Sequence, residues 1–165
     1  MPHALGLTLQ AGLQHRIAVA QNGPAGAGAI LELAVRAATA ASADERVRAL
    51  TRLAAGLRSA GELDLAVTAL DAAAAFRPSE FPALALSTCA VTVHCDRDDP
   101  ERAVAVGEEQ LRRSGDEKLL RALARAYHEA FVATGAREYE QGRERVGVLL
   151  RGYASAASAA SSSSP

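Results

Sequence analysis

The chain has 165 residues, of which 49% are hydrophobic but only 4% are aromatic, and it contains no tryptophan. Alanine is abundant, and because alanine has a high helix propensity and a small side chain, this composition predicts an all-α fold with closely packed helices. The net charge of −1 at pH 7 provides no overall attraction to nucleic acid or to an anionic membrane, so we expect neither as a partner.

The two cysteines, Cys89 and Cys95, are too few for the disulfide framework of a small secreted protein. On one helix they would lie about 9 Å apart along its axis, whereas a disulfide needs Cα atoms within about 7 Å. Free thiols indicate a reducing compartment. The first residues, MPHALGLTLQAG, lack a signal-peptide pattern, and no uncharged apolar run reaches the roughly 18 residues of a membrane span. A cytoplasmic location is therefore expected.

Residues 1–41 are interpreted as a degenerate helical hairpin with a glycine-rich turn. The segment HALGLTLQAGLQHRIAVAQ is amphipathic, NGPAGAG forms the turn, and the following helix carries Ala27, Leu31 and Ala34 on one face. The glycines also invite comparison with a dinucleotide-binding turn. However, Gln21 stands where that fingerprint requires its first glycine, and no Lys-Ser or Lys-Thr follows. We therefore exclude a phosphate site here.

From residue 42 onward, capping and turn residues mark the ends of further predicted helices. Ser42 and Glu45 match a capping box, in which each side chain accepts from the other residue's backbone N–H. Asp99 and Pro100 match the start of a later helix. The predicted helices cover approximately 42–59, 62–77, 80–94, 100–113, 117–134 and 137–152. Residues 153–165, rich in alanine and serine, are expected to form a disordered tail.

These helices form hairpins in series, and the first full unit reads LTRLAAGLRSAGELDLAVTALDAAAAFRP. Its spacing resembles the tetratricopeptide repeat, whose pattern is Trp-x2-Leu-Gly-x2-Tyr, then Ala-x3-Phe, then Pro. The positions that match in spacing are Leu50, Leu53, Ala54, Leu57, Ala66, Leu70 and Pro78, followed in a later unit by Leu120, Leu123, Ala124 and Tyr127. In the first unit Leu50, Ala54, Leu57 and Leu70 stand where the family has Trp, Gly, Tyr and Phe. The middle unit departs from the pattern, with Ser87, Thr88 and Val91 at the first-helix positions.

Small anchor residues of the second helices recur at Ala66, Ala103 and Gly142, with separations of 37 and 39 residues. The family period is about 34 residues, so longer loops or helices are expected here. The resemblance, over 42–152, implies a right-handed α-solenoid of about four antiparallel hairpins, counting the degenerate one at 1–41. It also implies a non-catalytic scaffold that binds a peptide segment of another protein.

By this resemblance, the first helix of each hairpin lines a concave groove. The predicted peptide-binding residues are Arg48, Thr51, Arg52, Arg58, Cys89, Lys118, Arg121, Arg125 and His128. Ala55 belongs to the first basic row, and Ala85, Cys89 and Val93 are predicted to form an apolar strip between the two basic rows. Arginine binds carboxylates through paired hydrogen bonds, so an acidic or C-terminal peptide is the predicted partner. The alternative is that these arginines form only the solvated face of amphipathic helices. A two-asparagine carboxylate clamp is excluded, because the single asparagine, Asn22, lies in a turn.

Two other functions remain open at this stage. Self-association as a dimerisation or sensor module is one, because the sparsely charged N-terminal helix can dock on a second copy. The other is an enzyme with a site near His94 or His128, although the nucleophile and metal motifs of known hydrolases are missing. The densest group of metal-ligand residues is His94, Cys95, Asp96, Asp98 and Asp99. We interpret it as a solvated turn, and expect no metal, cofactor or catalysis.

Overall fold

The computed structural model describes the backbone of residues 24–161 and the side chains of residues 30–155. Within this range the chain is entirely helical, as the composition predicts, and none of its helices is both long and apolar enough to cross a membrane. The helices are α1 (Pro24–Thr39), α2 (Ala43–Ser59), α3 (Leu63–Ala74), α4 (Glu80–Asp96), α5 (Pro100–Leu111), α6 (Glu117–Thr134) and α7 (Arg137–Ser161). The predicted helix over 3–21 and the first residues of the glycine-rich turn lie outside the described residues.

The predicted helix starts are confirmed by their capping hydrogen bonds. The Ser42 hydroxyl accepts from the Glu45 backbone N–H at 3.2 Å, and the Glu45 carboxylate accepts from the Ser42 N–H at 3.2 Å. Asp99 accepts from the Arg102 N–H at the start of α5. Asp116 accepts from the third residue of α6 in the same way. Each cap satisfies a backbone donor that the helix itself leaves unpaired.

Two glycines end helices as the sequence predicts. Gly61 follows α2 with φ of 78° and Gly135 follows α6 with φ of 68°, which is the left-handed region that a side chain disfavours. At the other end of the chain α7 continues to Ser161, beyond the predicted end near residue 152. Its last turns are rich in alanine, the residue with the highest helix propensity, and this accounts for the extension.

The helices contact one another in a regular order. Every helix contacts the next one in the chain, and α2 also contacts α4, which in turn contacts α6. Within the described range, the backbones of α3 and α5 stay apart, as do those of α5 and α7, although Arg145 of α7 pairs with Glu108 of α5 at 2.5 Å. The helices therefore fall into two layers: α4 packs closely against both α2 and α6 in the first, whereas the backbones of α3, α5 and α7 lie farther apart in the second.

The residues of the repeat pattern form a large part of the core. Two buried clusters lie along the chain, one centred on Leu53 and the other on Leu123, both of which are fully buried. Also buried are Leu50, Ala54, Leu57, Ala66, Leu70, Ala73, Ala103, Leu120 and Tyr127. The degenerate hairpin is different: Ala34 is buried, but Leu31, predicted to share its apolar face, is 37% exposed.

Small residues let the paired helices approach closely. Gly142 of α7 is buried against the Tyr127 ring of α6, and a Cβ atom built at Gly142 would lie 2.2 Å from a ring carbon. A Cβ atom at Gly107 of α5 would lie 2.6 Å from a methyl carbon of Leu123. These separations are far below van der Waals contact, so both positions exclude any side chain while their neighbours stay in place.

Candidate functional site

The surface of the first layer carries most of the predicted binding residues. On α4, the stripe Phe81, Ala85, Thr88, Thr92 and Asp96 recurs every three or four residues, so it follows one face of the helix. The corresponding exposed positions on its neighbours are Arg48, Arg52, Ala55 and Ser59 of α2, and Lys118, Arg121, Arg125 and Val132 of α6. We call this surface the α2–α4–α6 face.

At the carboxyl end of this face, Asp96 joins three helices. Its carboxylate accepts hydrogen bonds from Arg58 of α2 and, at 2.9 Å, from Arg125 of α6. Partial burial opposes ionisation of Asp96, but the two guanidinium groups outweigh this effect and hold its pKa below the ordinary value. Arg125 also pairs with Glu129 at 2.7 Å. The predicted cations Arg58 and Arg125 are therefore already neutralised within the chain.

The middle of the face is less accessible than predicted. The Thr51 hydroxyl donates to the Val47 carbonyl at 2.8 Å, and the Cys89 thiol lies 3.8 Å from the Thr51 carbonyl oxygen. Cys89 is half-buried, and burial raises its pKa, which keeps it a neutral thiol. The placement of Val93 on the groove surface is wrong, because Val93 is fully buried in the cluster around Leu53.

Three other predicted cations lie in the first half of α2 or at the start of α6. Arg48, Arg52 and Lys118 are exposed, and none forms a salt bridge with another residue among those described. Arg121 pairs with Glu117 of its own helix. Such an exposed ion pair is weak and contributes little to stability.

Two carboxylates at the start of α2 accept hydrogen bonds from nearby serine residues. Asp44 accepts from the Ser79 backbone N–H at 2.8 Å and from the Ser79 hydroxyl at 2.5 Å, which ties α2 to the start of α4. These hydrogen bonds lower the pKa of Asp44, so it is ionised at neutral pH. Glu45 is engaged by the Ser42 N–H in the capping box. Both carboxylates therefore have structural partners, and Arg48 also interacts electrostatically with Asp44.

Phe81 is a binding candidate that sequence reasoning misses. It lies in the first turn of α4, next to the α2 terminus held by Ser79, and its side chain is 81% exposed. An apolar residue near a helix start is ordinarily taken as part of the core. The sequence signal that identifies Phe81 as exposed is its position in the α4 stripe, where the other residues are small or polar.

His128 lies apart from the other predicted residues. Its Nδ1 atom is 3.3 Å from Nη1 of Arg143, which belongs to α7. The side chain therefore sits on the flank of α6 that faces the second layer. The structure thus brings Arg58 and Arg125 together through Asp96, and Thr51 together with Cys89, but leaves His128 separate.

The cluster over residues 94–99 is divided between core and surface. The solvated-turn interpretation is wrong for His94 and Cys95, which are buried in the last turn of α4. Burial, followed by the nearby Glu129 carboxylate, raises the pKa of Cys95 to about 12. Asp96 and Asp98 instead line a cavity of about 300 Å³ between the α2–α3 and α4–α5 turns. No group of three or more potential metal-ligating side chains is found in the described part of the chain.

His94 makes the stability of the fold sensitive to acid. Its Nδ1 atom is buried without a hydrogen-bond partner and lies 3.9 Å from the nearest Asp99 oxygen. Burial lowers the pKa of His94 below 6.5; Asp99 and Asp71 partly oppose this, while Arg102 and Arg97 add to it. Since the unfolded chain then takes up the proton more readily, this stability contribution is complete above pH 6.5 and is lost as the pH falls toward the lowered pKa.

We therefore expect His94→Leu to reduce the loss of stability on acidification, because leucine cannot take up a proton. The measurement is urea unfolding of both proteins, followed by circular dichroism, at several values between about pH 7.5 and pH 5. As the pH falls, the free energy of unfolding should decrease less for His94→Leu than for the parent protein. A constant difference over this range would contradict the assignment.

Comparison of the chain with models of protein families, with curated proteins and with solved structures finds no match.

Proposed function

We propose that this chain is a non-catalytic scaffold protein that binds a peptide segment of a partner on the α2–α4–α6 face. In this proposal the hairpins α2–α3, α4–α5 and α6–α7 stack as a right-handed α-solenoid similar to tetratricopeptide-repeat proteins. Helix α1 is then the second helix of the degenerate first hairpin. The partner segment lies across the exposed surface of the first layer.

The observation that carries the proposal is the unequal packing of the two layers. Helix α4 packs closely against both α2 and α6, whereas the backbones of α3, α5 and α7 lie farther apart, and α5 and α7 meet through the Arg145–Glu108 side chains. An array whose helices lie closer together in one layer than in the other curves toward the closer layer. The α2–α4–α6 face is then the concave side, a shape that can hold an extended or helical segment.

The packing residues support the same arrangement. Leu53 and Leu123 hold the same position of the repeat pattern, and each is fully buried in one of the two clusters. Gly142 accommodates the Tyr127 ring, as expected when a small anchor in the second helix faces a large residue in the first. Binding by the face itself is supported by the exposed cations at its amino end, Arg48, Arg52 and Lys118.

The test is a selection from a random peptide library displayed on phage, with the full chain immobilised as bait. Selected peptides are synthesised, and their dissociation constants are measured by fluorescence polarisation. A double charge reversal on the face, Arg48→Glu with Lys118→Glu, is expected to weaken binding by about tenfold or more, because charge complementarity is lost.

The matched control is Arg102→Glu with Arg151→Glu, which makes the same change in net charge on α5 and α7 of the second layer. Both of these arginines are exposed. The control should retain binding within about twofold. Failure to select any peptide, or equal loss in the two double variants, would contradict the proposal.

A further inference from the structure

We propose that two copies of this chain associate through an antiparallel pairing of their α7 helices, centred on Val148. The surface involved is the outer side of α7, which is separate from the α2–α4–α6 face, so the pairing goes beyond the proposed function. It also lies at the other end of the chain from the N-terminal helix, where the sequence pattern places self-association.

The outer side of α7 carries apolar side chains that no other helix covers. Among the described helices, the backbone of α7 packs closely only against α6, and Gly142 and Val146 are buried on that side. Val148 follows two residues later, which places it on the opposite side of the helix, and it is 59% exposed. Leu149 beside it is 41% exposed. The last helix of a stacked array is ordinarily covered by polar side chains, and here that cover is interrupted.

Two opposite charges flank Val148 on this outer side. Glu144 lies one turn before Val148, and Arg151 lies about one turn after it; both side chains are exposed. Neither forms a salt bridge with any residue that the structure describes, whereas the neighbouring Arg145 is paired with Glu108 at 2.5 Å. Glu144 and Arg151 are therefore free to pair with charges on another molecule.

The order of these groups along α7 is self-complementary. From the amino end it is negative, apolar and positive, over seven residues or about 10 Å of helix axis. A second α7 running in the opposite direction presents positive, apolar and negative groups, so each Glu144 lies opposite the Arg151 of the other copy. The two Val148 side chains then meet at the two-fold axis, as in a closed symmetric dimer. A parallel pair would instead bring like charges together.

Both charge pairs fit on one flank of the same contact. Seven residues are nearly two full turns, so Glu144 and Arg151 differ by only about 20° around the helix axis. A two-fold axis perpendicular to the helices keeps this flank on the same side in both copies, and the two pairs therefore form together. The next residues of the outer stripe, Gly152 and Ser155, are small, which permits a close approach of the helices.

The chain's own segments outside the described range match this surface less well. Residues 1–23 contain no aspartate or glutamate, and residues 162–165 are only serine and proline. Neither segment offers an acidic side chain to Arg151, whereas a second α7 supplies both charges at the required spacing. Charge complementarity therefore favours a second copy as the occupant.

The test measures the molar mass of the full chain by light scattering coupled to size exclusion, with sedimentation equilibrium for the dissociation constant. We expect a concentration-dependent dimer. Glu144→Arg and Arg151→Glu should each weaken it by about tenfold or more, because two-fold symmetry converts two attractions into two repulsions. An equimolar mixture of these two variants should again form a dimer, since opposite charges then face each other at both positions. A role of the two charges within one chain would not be restored by mixing.

The apolar centre has its own matched pair of variants. Val148→Asp places two carboxylates at the two-fold axis and should weaken the dimer by about tenfold or more. Val132→Asp is the same change at a valine of α6 that is 70% exposed, and it should alter the dissociation constant by less than about twofold. Circular dichroism establishes that each variant is folded.

Three results would overturn the proposed pairing. These are a chain that stays monomeric up to about 100 μM, a dimer that Val148→Asp and Val132→Asp affect equally, and a mixture of the two charge variants that remains monomeric. Peptide selection on the α2–α4–α6 face is a separate measurement, so the pairing and the proposed function can fail independently.

Discussion

Replacing Leu53 with alanine is expected to lower the free energy of unfolding by about 2–5 kcal/mol, the range for deleting a buried leucine side chain. Leu53 is fully buried in the first cluster, and its loss leaves a cavity in that cluster. The measurement is urea denaturation at neutral pH followed by circular dichroism. A large loss would confirm that this repeat-pattern leucine is a main packing residue.

Phe81→Ala is the matched control, because it removes a larger apolar side chain from an exposed site. Its expected effect on unfolding is within about 0.5 kcal/mol, as for surface substitutions in general. Burial rather than side-chain size then accounts for the difference between the two variants. Equal effects would mean that Phe81 packs in the core, which would also remove the basis for its role in binding.

Gly142→Ala is expected to lower the free energy of unfolding by about 1–3 kcal/mol, the usual cost of overpacking a core. The added Cβ atom would lie 2.2 Å from a Tyr127 ring carbon, so the ring or the helix must shift. Alanine ordinarily stabilises a helix by about 0.5–1 kcal/mol relative to glycine, so the sign of the effect identifies the steric contact. Thermal and urea unfolding both measure it.

The control for this variant is Gly152→Ala in the same helix, where a Cβ atom would meet nothing within 4 Å. That variant should be neutral or slightly more stable than the parent. In a Tyr127→Leu background the cost of Gly142→Ala should shrink, because the clashing ring is gone. An unchanged cost in that background would mean that Gly142 is needed for another reason.

Local sequence signals predict the helices well because they act over three or four residues. Backbone N–H groups within one turn are satisfied by Ser42 and Glu45 at the start of α2, and by Asp99, next to Pro100, at the start of α5. Gly135 ends α6 in the same local way. Their hydrogen bonds depend little on the rest of the fold, so the sequence is sufficient to infer them.

The candidate site depends on contacts between distant residues, and these were only partly predictable. The exposed rows of α2 and α6 follow from amphipathic spacing, so Arg48, Arg52 and Lys118 are placed as the pattern predicts. The pairing of Asp96 with Arg58 and Arg125 joins three different helices, and no local pattern contains that information.

Helix α4 shows why the middle of the face is the hardest part to predict. It contacts α2, α3, α5 and α6, so little of its circumference is left for solvent. A helix surrounded in this way has no strong division between polar and apolar sides. The sequence pattern therefore places Val93 on the surface although it is buried, and it does not predict the exposure of Phe81.

The order of helix contacts also has a consequence for how the chain acquires its structure. Within residues 24–161, no helix contacts another that is more than two positions away in the chain. Low contact order of this kind is associated with fast folding, because little loop-closure entropy is lost before packing is gained. Each helix from α2 to α7 packs against at least one helix that precedes it in the chain, so a packing partner is already present when the helix is synthesised. Folding can therefore follow translation step by step, without waiting for the C-terminal end.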